Sequence, residues 1–275
     1  HDTHRILPPG YSRRLNTSTA DEYLMGFGWG AMILPMLDQQ PLYNTLNFQQ
    51  FTLVAALKTQ LPAWRCPSDP NAMGEASYTV STQDCMPDNP MDPDCGGGGG
   101  GGDGICPCSF GAATATGNPG YAAMASYVGS FGSVALTGAA NGAFAPNSGL
   151  KFRDFTDGTS NTFLSGERNI KTQGHATWAG PYPNTTVQNV GSGMTPGGGS
   201  GGGSSQNDKL VLGTAAVGPN GTSGLDTNAP FGSAHEGGCH MLMGDGSVHF
   251  LSENINLATW QNLANRRDNN VVGEF

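Results

Sequence analysis

The sequence predicts an α+β fold in which N-terminal helices pack on an antiparallel β-sheet that carries long Gly-rich loops. Three observations lead there. Apolar residues recur at helical spacing before residue 62, and short Thr-, Val- and aromatic-containing runs separated by Gly and Pro follow from residue 66. An Asp-Gly turn then joins two apolar runs near the C-terminus. Helices first and strands afterwards favour segregated layers over alternating βα units.

Residues 1–18 read as an extended lead-in, because Pro8-Pro9-Gly10 disfavours helix. Thr19-x-x-Glu22 has the form of a capping box. Leu24, Phe27, Ala31 and Leu34 follow it at helical spacing, against the weakening effect of Gly26, Gly28 and Gly30. Asn47-x-x-Gln50 opens a second helix, with Phe51, Val54, Leu57 and Leu61 on its apolar face and Pro62 as its stop. Strands are expected at 77–82, 126–136, 161–167 and 175–180. Two low-complexity segments, 96–102 and 197–205, read as surface loops. Residues 239–243 and 247–251 form a hairpin around Gly244-Asp245-Gly246, since Asp and Gly both tolerate positive φ. A last helix starts at Asn256 and carries Leu257, Trp260 and Leu263.

Composition bounds the function. With 43 Gly in 275 residues and only 12% charged residues, long loops surround a smaller ordered core. A net charge of -9 argues against nucleic acid, which needs clustered Lys and Arg. No apolar run reaches the ~18 residues that span a membrane. Six cysteines, Cys66, Cys85, Cys95, Cys106, Cys108 and Cys239, are disulfide candidates in an oxidising compartment, with buried reduced thiols as the alternative.

Several segments, in order along the chain, resemble one bacterial family. They are Pro8-Pro9-Gly10, Trp29 with Leu34-Pro35-Met36-Leu37-Asp38-Gln39-Gln40-Pro41-Leu42-Tyr43, and Cys66-Pro67-Ser68-Asp69. Ser126-Tyr127-Val128-Gly129 follows, then Arg153 to Thr162 with Glu167. Last come His235 and Asp245-Gly246, with nine residues between the His and the Asp. This set is similar to the H-X9-DG domain, a prepilin-type processing-associated family of type IV pilin- and pseudopilin-like surface proteins. The resemblance implies a single pilin-like domain over 1–275, with loop insertions at 84–118 and 181–228. It also implies an N-terminal hydrophobic helix preceding His1, so that the membrane is met only through that helix.

Candidate chemistry lies in four places. His235, His240 and His249 with Asp245 invite a metal or hydrolase reading, but no H-E-x-x-H or Cys-x-x-Cys spacing supports it. The structural reading has His235 bonding backbone near the hairpin, while Asp245-Gly246 makes the turn. Asp154 and Asp157 sit in an oxygen-rich loop that suits calcium or an Asx turn. Asp88, Asp92 and Asp94, in a stretch without Lys or Arg, form a solvated acidic loop or a second calcium locus. Asn16, Asn184 and Asn220 match the glycosylation sequon, so glycans are candidate partners. No nucleophile elbow or P-loop is present, and no enzyme activity is expected. The functional expectation is therefore an extracellular or cell-surface structural subunit that self-assembles into a helical homo-oligomeric filament, stabilised by calcium. The alternative is a surface-tethered carbohydrate-binding module using Trp64, Trp178 or Tyr182 as stacking platforms.

Overall fold

The structure is a computed structural model, and it describes residues 4–15, 22–48, 55–69, 79–81, 121–173, 176–181, 186–188, 208–223, 228–270, 272–273 and 275. The first regular elements among the described residues are strands. β1 (Tyr11–Leu15) and β2 (Glu22–Gly28) pair antiparallel, and β2 also pairs with β8 (Thr186–Gln188). β3 (Thr79–Ser81), β4 (Tyr121–Ala125) and β7 (Ala176–Thr177) make a second three-stranded sheet. The dominant sheet takes β5 (Tyr127–Gly132), β6 (Phe163–Glu167), β9 (Leu212–Thr214), β10 (Gly238–Met243) and β11 (Val248–Ser252). Its order is β11-β10-β6-β5-β9, antiparallel except for the parallel β5–β9 pair. Helix among the described residues is confined to short pieces, α1 (Trp29–Met32), α2 (Gln40–Tyr43), α3 (Ile170–Gln173) and α4 (Leu257–Ala264), with 3₁₀ turns between strands.

The predicted α+β, pilin-like arrangement of N-terminal helices packed on an antiparallel sheet is therefore corrected to a mostly β fold with a mixed sheet. The physical reason lies in the glycines and aromatics of 22–30. Tyr23 and Phe27 favour a pleated strand, and Gly26 and Gly28 withdraw helix propensity from the segment. Backbone closes in instead: Gly28 N–H donates to Ala179 O at 2.8 Å and Trp29 N–H to Gly10 O at 2.9 Å. At Gly30 a Cβ would lie 2.4 Å from Trp178 O, so only glycine permits the approach. The second predicted helix is also not found. Asn47 and Phe48 are not helical and Ala55–Lys58 is one 3₁₀ turn, while residues 49–54 lie outside the described residues. Leu57 and Leu61 are nevertheless buried, as their apolar spacing predicts.

The end of the segment 181–228 contributes to the core. Leu210, Val211 and Leu212 are buried, and Leu212–Thr214 supplies the parallel edge of the main sheet. One buried cation ties this segment in. The Arg168 guanidinium donates to Lys209 O, to Leu212 O at 3.0 Å and to Ala229 O at 2.7 Å.

The C-terminal helix behaves as its sequence predicts. Asn256 Oδ1 accepts from the Ala258 and Thr259 amides at 2.9 and 3.3 Å, the N-cap arrangement that satisfies orphan donors. Trp260 and Leu263 are fully buried, whereas Leu257 is exposed. The Trp260 ring meets Phe163 at 4.9 Å and Phe231 at 6.0 Å, and its Nε1–H donates to Val217 O at 2.9 Å. Burying one such side chain contributes roughly 2–3 kcal/mol, so α4 is held on the sheet mainly by this indole. Among the described residues no helix is long and apolar enough to cross a membrane.

Candidate functional site

Three segments distant in sequence meet at one end of the central strands. β6 ends at Glu167, whose partner across β5 is Tyr127. The hairpin places alternate residues of β10 on opposite faces: Cys239, Met241 and Met243 point into the core, and His240 and Leu242 turn the other way. Cys66 follows the 3₁₀ turn Pro62–Trp64, which is anchored when the Ser126 amide donates to Trp64 O at 2.7 Å.

Glu167 is the centre of this arrangement. Its side chain is only 4% exposed, which requires compensation for a buried carboxylate. Oε1 lies 3.2 Å from His235 Nε2, while Oε2 accepts the His240 amide at 2.7 Å and lies 3.2 Å from His240 Nδ1. Cys66 Sγ is 3.6 Å from the same His235 Nε2. Burial, followed by the nearby Glu167 charge, holds the Cys66 thiol above its usual pKa. Burial also pushes the Tyr127 hydroxyl up to about 12, with Cys66 and Glu167 adding to the effect. A Cys-His-carboxylate relay uses the two imidazole nitrogens for different partners. Here one nitrogen faces both, so the set is convergent rather than relayed.

His235 is held by backbone chemistry around it. Its amide donates to Ser233 Oγ at 3.0 Å, and that hydroxyl donates to Gly238 O at 2.7 Å. Ser233 N–H in turn donates to Asn220 Oδ1 at 2.9 Å, and Asn220 Nδ2 donates to Glu253 at 2.9 Å. Above the cluster opens a pocket of about 480 Å³ whose walls are chiefly apolar, with Trp29, Ile33, Leu37, Trp64 and Leu242 among them.

The sequence-level candidates separate clearly. The His235 ring meets a carboxylate and a thiol, which corrects the expectation that it bonds backbone. Asp245 and Gly246 do make the turn: Gly246 has φ 91, and Asp245 Oδ1 accepts from Ser247 N at 2.9 Å and Ser247 Oγ at 2.7 Å. Those bonds hold the Asp245 carboxyl below its usual pKa. His249 contacts Ser247 rather than the cluster. Asp154 Oδ2 accepts the Lys151 amide at 2.8 Å, and Asp157 accepts the Asp268 and Asn269 amides at 2.7 and 2.9 Å. Both carboxylates thus accept backbone amides, Asp154 from the start of its own 3₁₀ turn and Asp157 from residues far along the chain.

Cys66 and Cys239 carry free, buried thiols. Cys239 packs against Met241 Sδ at 3.9 Å, and burial pushes its thiol up to about 12. Asn220 spends both ends of its amide on Ser233 and Glu253. Trp64 and Trp178, proposed sugar platforms, are 4% and 1% exposed and belong to the core. Cys85, Cys95, Cys106, Cys108, Asp88, Asp92, Asp94, Asn16, Asn184 and Tyr182 lie outside the described residues.

Sequence reasoning singled out Cys66, Glu167 and His235 separately without joining them. The available signal is a lone acid, Glu167, ending the apolar run Phe163-Leu164-Ser165-Gly166. Such a charge must find a buried partner, but spacing along the chain does not say which. No curated protein and no solved structure matches the chain. Residues 1–258, which contain every member of the cluster, match the family model described as Protein of unknown function (DUF1559), and the chain belongs to that family.

Proposed function

We propose that the chain is a self-assembling structural subunit of an extracellular filament or cell-surface appendage, exported by the prepilin-type route that the H-X9-DG signature marks. The observation that carries this reading is the margin of the main sheet. β11 is its outermost strand among the described residues, and Val248 and Phe250 on one face of it are 61% and 48% exposed. A sheet edge offers backbone donors and acceptors to another chain. Large apolar side chains beside it favour that contact over water.

The occupant is a second copy of this chain. The lead-in segment is a poorer donor, because β1 is already paired with β2 and Tyr11 Oη donates to Asp208 at 2.7 Å. Copies that each carry a net charge of -9 repel one another, so screening by calcium or other cations promotes assembly.

Negative-stain microscopy of the purified protein tests this, alongside the variants Val248→Lys and Phe250→Lys. Regular filaments are expected for the wild type, and discrete particles with an unchanged circular dichroism spectrum for the variants. Discrete wild-type particles at every calcium concentration, or filaments unaffected by both lysines, would overturn it.

A further inference from the structure

The geometry points to a transition-metal site of the zinc type, built by Cys66 Sγ, His235 Nε2 and a Glu167 carboxylate oxygen at the floor of the apolar pocket. This inference is independent of filament assembly. The three donor atoms lie within 4.8 Å of one another, and two of the three residues are buried.

The argument rests first on distances. Four-coordinate zinc takes sulfur at about 2.3 Å and nitrogen or oxygen at about 2.0–2.2 Å, so tetrahedral angles separate S from N by ~3.5 Å and N from O by ~3.3 Å. The observed separations are 3.6 Å for Cys66 Sγ to His235 Nε2 and 3.2 Å for His235 Nε2 to Glu167 Oε1. Two of the three edges thus have nearly the lengths a bound ion imposes, and the third lies within 4.8 Å.

The second argument is the crowding of one imidazole nitrogen. An imidazole nitrogen carries one N–H or one lone pair, so His235 Nε2 makes one good hydrogen bond. It faces two partners, and all three residues line the largely apolar pocket. A divalent ion between the three atoms satisfies all of them at once, and it takes the thiol as thiolate with release of its proton to solvent.

Ligand chemistry selects the metal. One sulfur, one nitrogen and one oxygen suit a borderline-soft ion and do not suit calcium, which takes six to eight oxygens. Oε2 of Glu167 is oriented by the His240 amide at 2.7 Å, as metal carboxylates are oriented by outer partners. Three protein ligands leave one coordination position, and the pocket they line admits water or a small ligand to it.

Two measurements test the site on the full chain. Chelator-stripped protein titrated with cobalt(II) should show a thiolate charge-transfer band and tetrahedral d–d bands, both lost in Cys66→Ser and His235→Ala. Peptide-level mass spectrometry should show zinc(II) slowing iodoacetamide labelling of Cys66 at least tenfold in the wild type. The second readout separates Cys66 from the other cysteines and does not depend on any variant folding. Labelling of wild-type Cys66 unchanged by zinc(II), or cobalt bands that survive in folded Cys66→Ser, would overturn the proposal.

Discussion

The loop at Asp154–Asp157 and the cluster at Glu167 are both acidic, and they use their carboxylates in opposite ways. In the loop the acids lie close in sequence, with hydroxyl and amide oxygens following. In the fold their lone pairs go to main-chain amides of Lys151, Asp268 and Asn269, which ties residues 268–269 to the loop. At Glu167 a single acid meets residues 101 positions upstream and 68 downstream (Cys66 and His235), and its oxygens face a thiol–imidazole pair. Density of ligand types along a chain therefore differs from availability of ligand atoms in space. What decides is whether backbone amides, near or far along the chain, reach the oxygen first.

The largest effect expected in solution comes from Glu167→Ala. It strands the His240 amide and removes the partner of two imidazoles, which costs about 3 kcal/mol of unfolding free energy. Urea denaturation checks this, and a loss below about 1 kcal/mol would place Glu167 outside the structural core of the site. Asp157→Ala should cost less, about 1–2 kcal/mol, because two amides near the surface regain water. It should leave cobalt(II) binding unchanged, whereas a loop that held the ion would lose it.

A pH series sharpens the contrast within the cysteines. Burial pushes the Cys239 thiol up to about 12, against an ordinary value of 9.0 in the unfolded chain. The folded state then binds the proton more tightly, so this contribution is full below about pH 9 and is lost as pH rises towards 12. The stability gap between wild type and Cys239→Ala should shrink across that window, by at most about 1.4 kcal/mol per pH unit. A gap independent of pH would mean that Cys239 reaches solvent in the native state.

How much was legible follows from the range of the forces involved. The hairpin of β10 and β11 is written locally, because Asp245-Gly246 accepts the turn backbone and the flanking residues alternate. The last helix is legible for the same reason, since Asn256 caps it and Trp260 and Leu263 recur on one face. The N-terminal segment misleads because Leu24, Phe27, Ala31 and Leu34 match a helical period while Gly28 and Gly30 serve close backbone contacts. Periodicity cannot distinguish a weak helix from a glycine-containing strand that a neighbour completes. β9 was hidden inside an apparent insertion, since a parallel pairing has no local turn signal.

By itself the sequence determined the glycine-rich, acidic, mostly uncharged composition, the C-terminal hairpin and helix, and membership of the DUF1559 family, whose model matches residues 1–258. Each of these rests on neighbours a few residues apart, where dihedral preference and alternation dominate. Only the tertiary structure decided that the first regular elements described form a sheet, that 212–214 completes the main sheet, and that Cys66, Glu167 and His235 share a floor. Those outcomes depend on burial and pairing across long chain separations. There the cost of isolating a carboxylate from water selects partners that spacing does not reveal.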